Sequence, residues 1–183
     1  MRQVGPLVKS PSFLSVEEAA RILQAAKPRP RDYVLIGCLL YMGLRVGELC
    51  RLTKEQVDLT EGYVRYVGGR RVKREVLVPI HPALRQDLEA YMQTVKGPRL
   101  FPLTVRAVEK LVKRVAEKAG VNRRVWPHLF RHTFVTLLRK EGADWKQIQS
   151  LVGHSSIKVT MDFYSGVDLD EKRRAVERLP ALG

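Results

Sequence analysis

The chain is poor in the residues that would staple or anchor it. It has two cysteines in 183 residues, Cys38 and Cys50, too few for a disulfide framework or a zinc ligand set. Cys38 lies in the apolar run Ile36-Gly37-Cys38-Leu39-Leu40 and reads as a small buried hydrophobe. No apolar run approaches the ~20 residues of a transmembrane helix. The opening Met1-Arg2-Gln3-Val4-Gly5-Pro6 carries no signal-peptide core. A reducing, cytoplasmic setting without membrane contact is therefore expected. Repeats and low-complexity tracts are also missing.

Acid is scarce too. Lys and Arg total 33 against 19 Asp and Glu, a formal charge of +14. Such an excess attracts polyanions, nucleic acid first among them, although a generally basic soluble surface would look the same. The length suits one domain, large enough to bury about 70% of its unfolded surface without covalent staples.

Helix signals dominate what is present. Residues 1–14, with Pro6 and Pro11, read as a linker or tail. Ser15-Val16-Glu17-Glu18 is a capping box opening a helix to about Ala26, closed by Lys27-Pro28-Arg29-Pro30. A second, apolar helix is expected from about Asp32 to Met42 and a short restart from Val46 to Cys50 around Gly43 and Gly47. Thr53 to Gln56 reads as a capped turn. Two β-rich stretches, Tyr63–Val67 and Glu75–Pro79, flank a basic tip holding Arg70, Arg71 and Lys73, the pattern of a hairpin. Further helices are expected at Pro82 to about Val95, Thr104 to about Ala119, Pro127 to Lys140 and Asp144 to Gly153. Short ones follow, from Ser155 to about Phe163 and from Asp168 to about Arg178. The fold class is mainly α with a small antiparallel β-sheet.

The stretch Trp126-Pro127-His128-Leu129-Phe130-Arg131-His132 concentrates the chemistry. Pro127 suits a first helical turn. At about 100° per residue, Arg131, His132, Val135 and Arg139 fall within about 60° of His128, with Phe130, Phe134 and Leu137 opposite. Taken alone, this is equally well a solvated basic face. The two histidines lack the glutamate of an H-E-x-x-H metal pattern, so no metal is expected. Arg45 sits in an otherwise apolar run, where a charge must be paired or hold an anion; Glu48 is a partner at helical spacing. His154 stands in a glycine turn, and Tyr164 precedes Ser165-Gly166. Each has an ordinary reading, as a turn residue and an amphipathic tyrosine.

Together these groups suit phosphoryl chemistry. Guanidinium groups match the oxygens of a phosphodiester bidentately and stabilise its growing charge. A tyrosine hydroxyl, with pKa near 10, needs a base or a strongly cationic site to attack, and a histidine can take the proton.

Four boxes in order resemble the tyrosine recombinase family, the phage integrase and Xer-type enzymes. They are Gly43-Leu44-Arg45-Val46-Gly47-Glu48-Leu49, His128-Leu129-Phe130-Arg131-His132-Thr133, Leu151-Val152-Gly153-His154-Ser155-Ser156 and Thr160-Met161-Asp162-Phe163-Tyr164-Ser165. The resemblance spans about Phe13 to Tyr164. It implies the DNA breaking-rejoining fold in a catalytic domain over 15–167. It also implies a C-terminal tail helix, 168–183, that docks on a neighbouring subunit. By resemblance, Arg45 and Arg131 bind the scissile phosphate of double-stranded DNA, while His128 and His154 assist. Tyr164 attacks to form a 3′-phosphotyrosyl link, without cofactor or metal, in a homotetramer that assembles on DNA from what can be a monomer in solution. Glu48 and His132 are supporting residues.

Two departures bear on this. The family's general-acid lysine usually precedes the closing proline at an offset occupied here by Arg71. Arginine hardly deprotonates, so the role is assigned to Lys73. The N-terminal helical domain usual in the family has no counterpart in residues 1–14, so a catalytic-domain fragment or a shorter recombinase is expected. A non-catalytic DNA-binding relative and a type IB topoisomerase-like enzyme are the alternatives. Arg106, Lys110, Lys113 and Arg114 are candidate DNA contacts, or a solvated helix face.

Overall fold

A computed structural model describes residues 13–68 and 74–152. Helix α1, Val16–Ala26, starts from the expected capping box: Glu18 N–H donates to Ser15 Oγ at 3.1 Å, and Ser15 N–H donates to Glu18 Oε2 at 2.9 Å. Helix α2, Pro30–Tyr41, begins earlier than its expected start at Asp32. Pro30 takes the first helical position, where its missing N–H costs nothing, and Arg29 before it is extended, as a residue preceding proline must be. Val34 through Leu40 are buried without a break, so α2 is the central helix and packs against α1 and its later neighbours.

After α2 come the one-turn α3, Val46–Leu49, a 3₁₀ turn at Lys54–Gln56 and the short strand β1, Val57–Asp58. The hairpin follows as β2, Tyr63–Gly68, and β3, Arg74–Pro79. The sheet is antiparallel in the order β1-β2-β3, with Val64 opposite Val78 and Tyr66 opposite Val76. These four point inward and are buried, while Tyr63, Val67 and Leu77 face out, the alternation of a half-buried sheet. β1 was not expected: two residues carry no period, and only pairing with β2 defines it.

Helices α4, Pro82–Thr94, α5, Val105–Lys118, α6, Pro127–Lys140, and α7, Trp145–Val152, complete the described residues. The mainly helical class with one small antiparallel sheet is as expected. Among the described residues no helix is long and apolar enough to cross a membrane. α2 packs on α4 and α6, and α7 packs on both α6 and β3.

The entering chain is bonded to α6. Leu14 N–H donates to Thr133 Oγ1 at 2.8 Å, and that hydroxyl donates to Leu129 O at 2.8 Å. Arg123, just before α6, donates to Phe13 O and to both carboxylate oxygens of Glu18. Both Leu14 and Thr133 are fully buried. Thr133→Val keeps the shape but strands the Leu14 N–H, so urea unfolding should lose about 1–3 kcal/mol with an unchanged m-value. An unshifted midpoint would mean that this bond contributes nothing.

Candidate active site

The site is assembled where α2 ends, α3 begins and α6 passes beneath them. Gly43 follows the C-cap of α2 with φ +59, and a Cβ there would lie 2.4 Å from Phe134 Cδ1. Only glycine fits both the left-handed backbone and the close approach. The turn aims the Gly43 carbonyl at Arg131, whose Nη1 donates to it at 2.7 Å, while Nη2 donates to the Val152 carbonyl at the end of α7. Three separate elements thus meet on one guanidinium.

Arg131 is 2% exposed. This corrects the solvated-face reading of α6: the helix is covered on nearly every side, with Arg131, Thr133 and Val135 buried beside Phe130 and Phe134. Shared helical angle also misleads for Arg139. Its Nη1 donates to Ala143 O at 2.7 Å and its guanidinium lies 4.6 Å from the Trp145 ring, so it closes the far end of α6.

Arg45 stands at the N-cap of α3. Its N–H donates to Glu48 Oε2 at 2.8 Å and its Nη1 to Glu48 Oε1 at 2.9 Å. The ion pair foreseen from the spacing is present, but it is only part of the arrangement. Burial, and after it the charge of Arg45, lowers the Arg131 guanidinium to about 10, against the pull of Glu48; it remains cationic at neutral pH. Two guanidinium groups therefore stand beside one carboxylate, which is bonded to Arg45 and acts on Arg131 only through its charge, and one positive charge is uncompensated among the described residues. The Arg45 side chain is 32% exposed and leaves the cluster open to solvent. A site of this charge and opening suits an oxyanion with two or more oxygens.

His128 and His132 lie on the same helix with rings 4.7 Å apart, edge to face. His128 is solvent-exposed and His132 half-buried. Crowding by protein atoms depresses His128 to about 4, reinforced by His132, Arg131 and Arg45. Burial and Arg131 push His132 down as well. At neutral pH the His128 ring is uncharged and can accept a proton.

Sequence reasoning missed Tyr66. Buried in β2 at 4% exposure, its phenol lies against the Arg131 guanidinium and under the influence of Glu48 and Arg45. Its place in the Val64–Tyr66 alternation was the available signal. Lys73, Arg70 and Arg71 at the hairpin tip, and His154 and Tyr164, lie outside the described residues. On α5, Arg106 and Lys110 are exposed, Lys113 reaches Glu117 at 3.7 Å, and Arg114 pairs with buried Asp32 at 2.9 Å. Arg114 thus already has a structural partner.

The phage integrase family profile matches residues 12–170. The tyrosine recombinase XerA of Thermococcus kodakarensis is 38% identical over 180 residues, covering 92% of this chain and 62% of that protein. A tyrosine recombinase of Pseudothermotoga lettingae is 32% identical over 176 residues, covering 92% and 61%. The chain spans about three-fifths of the length of these curated relatives. Among solved structures, XerA recombinase matches with a TM-score of 0.79 at 30% identity, over 94% of this chain and 66% of that one. XerH recombinase bound to its difH substrate matches with a TM-score of 0.75 at 23% identity, over 92% and 54%, a likeness of fold.

The depressed histidine has a measurable consequence. In NMR titration of the free protein, His128 should titrate near pH 4 instead of 6.5. Between these values the unfolded chain binds the proton and the folded one does not, so this contribution to stability is intact above 6.5 and falls as pH drops towards 4. A phosphate-bearing ligand should raise the midpoint by adding negative charge. A free-protein midpoint at or above 6.5 would contradict this account.

Proposed function

This chain belongs to the phage integrase family, and on that premise we propose that it is the catalytic domain of a site-specific DNA recombinase. The observation that carries the reading is the buried, main-chain-anchored Arg131 beside the Arg45–Glu48 pair: a cationic cluster, open to solvent at Arg45. In this reading the two arginines hold the non-bridging oxygens of a scissile phosphate in double-stranded DNA and stabilise the charge that grows there. Glu48 keeps Arg45 oriented, and His132 supports His128 from the next turn.

Tyr164 is the proposed nucleophile. Its phenolic oxygen attacks phosphorus, the bond to the 5′ oxygen breaks, and a 3′-phosphotyrosyl link remains. The phenol proton passes to a histidine, with His128 and His154 as the candidates. Lys73 protonates the departing 5′ oxygen. A 5′-hydroxyl from a partner strand then attacks the link, and the tyrosine recovers its proton. Bond energy is conserved, so the residues named need neither metal nor cofactor. Residues 15–167 form the catalytic unit in this scheme. The tail, 168–183, docks on a neighbouring subunit of a tetramer assembled on two duplexes, and the reaction takes place in the cytoplasm.

The test starts from a library of nicked duplexes with randomised core sequence, from which covalent protein–DNA adducts are recovered and sequenced. The wild-type chain should yield adducts that resist denaturant, and the recovered sequence then serves as a defined substrate. Tyr164→Phe should abolish the adduct and leave DNA affinity at fixed salt intact. Undiminished adduct in that variant would remove Tyr164 from its role. Arg131→Lys, which forfeits the fork geometry, should slow adduct formation by about 100-fold or more. Strand exchange between two defined sites separates a recombinase from an enzyme that only relaxes DNA.

A further inference from the structure

A buried hydroxyl normally has a hydrogen-bond partner, because leaving one unpaired costs about 1–3 kcal/mol. Tyr66 breaks that rule. Its hydroxyl is sealed from solvent and has no aligned hydrogen-bond partner among the described residues, though it lies against the Arg131 guanidinium. Phenylalanine would satisfy the same inward position of β2, between Val64 and the strand end, without an orphaned oxygen. The hydroxyl stands within hydrogen-bonding reach of that guanidinium without being aligned to it, so a small turn of the fork completes the bond.

The neighbours indicate what would turn it. Arg131 spends one N–H on Gly43 O and another on Val152 O. Its remaining N–H groups are donors without acceptor capacity, whereas a phenol oxygen accepts. In the free site Arg45 and Arg131 repel each other, with Glu48 bonded to Arg45 alone. An anion placed between the guanidiniums relieves that repulsion and lets the Arg131 fork turn toward it. We propose that Tyr66 is a positioning residue for Arg131: its oxygen accepts a guanidinium N–H when the site closes on a phosphate, fixing the fork against the anion. This inference rests on the recombinase reading above and assigns a group that the reading does not use.

The test is Tyr66→Phe in the full chain, assayed on the adduct-selected nicked duplex at saturating DNA and fixed salt. Adduct formation should slow roughly ten- to hundredfold, the range set by a hydrogen bond to a charged group. DNA affinity should be unchanged, and the melting temperature of the free protein should be unchanged or higher, because an unpaired buried hydroxyl has been removed. That opposition of sign separates positioning from a structural role. An unaltered rate overturns the assignment of Tyr66 and leaves the recombinase reading standing. A rate that falls only in step with melting temperature also overturns it, as loss of packing. If the wild-type chain forms no adduct on any member of the library, the recombinase reading fails and this inference fails with it.

Discussion

A guanidinium group buried to 2% exposure is the constraint around which this domain is arranged. Burying a charge is costly unless its hydrogen bonds are met, and here they are met by backbone. The last residue of α7 offers a carbonyl that helix geometry leaves unpaired, and Gly43, just beyond the C-cap of α2, offers another from the turn. Arg131 takes both. The charge is thereby held without being neutralised, since carbonyl dipoles supply direction and no counter-charge. A carboxylate in either place would have bound Arg131 more tightly and cancelled the field that an anion needs.

The same arrangement places tight steric and electrostatic demands on the α2–α3 junction. Gly43 must occupy the left-handed region and admit the Phe134 ring. Leu44 seals the core, and Arg45 caps α3 while its side chain turns to Glu48. Each residue in the run serves both packing and charge placement. Electrostatics then extends along α6, where crowding, and after it positive charge, lowers the affinity of both histidines for a proton.

Much of this could be read from residues alone, and the rest fails for identifiable reasons. The bounds of α6 were legible because Pro127 marks its first turn and Gly142 its stop. The capping box at Ser15 and the hairpin strands were legible because their signals are local. The Arg45–Glu48 pair followed from spacing. The burial of Arg131 did not, since helical period tells which side chains share a face and not what packs upon it. Arg139 falls in the same sector around His128 as Arg131 but lies two turns further along, among different neighbours. The role of Val152 rests on a main-chain atom, which no side-chain pattern reports. Tyr66 fell within the alternation but was read as one more strand residue, because its charged neighbours come from elements distant in sequence.

The junction at Leu14 can be considered as a mechanical coupling. The chain enters along Phe13 and Leu14, which are fastened to Arg123 and to Thr133, two positions beyond Arg131 on the same helix. A displacement of the preceding chain is therefore in series with α6. The N–H···O bond at Leu14 and the Lys140 ammonium over the Phe13 ring tie that entrance to α6. The entrance and the buried guanidinium therefore share one helix as their common anchor, so the position of the entering chain and the seat of the charge are set by the same contacts.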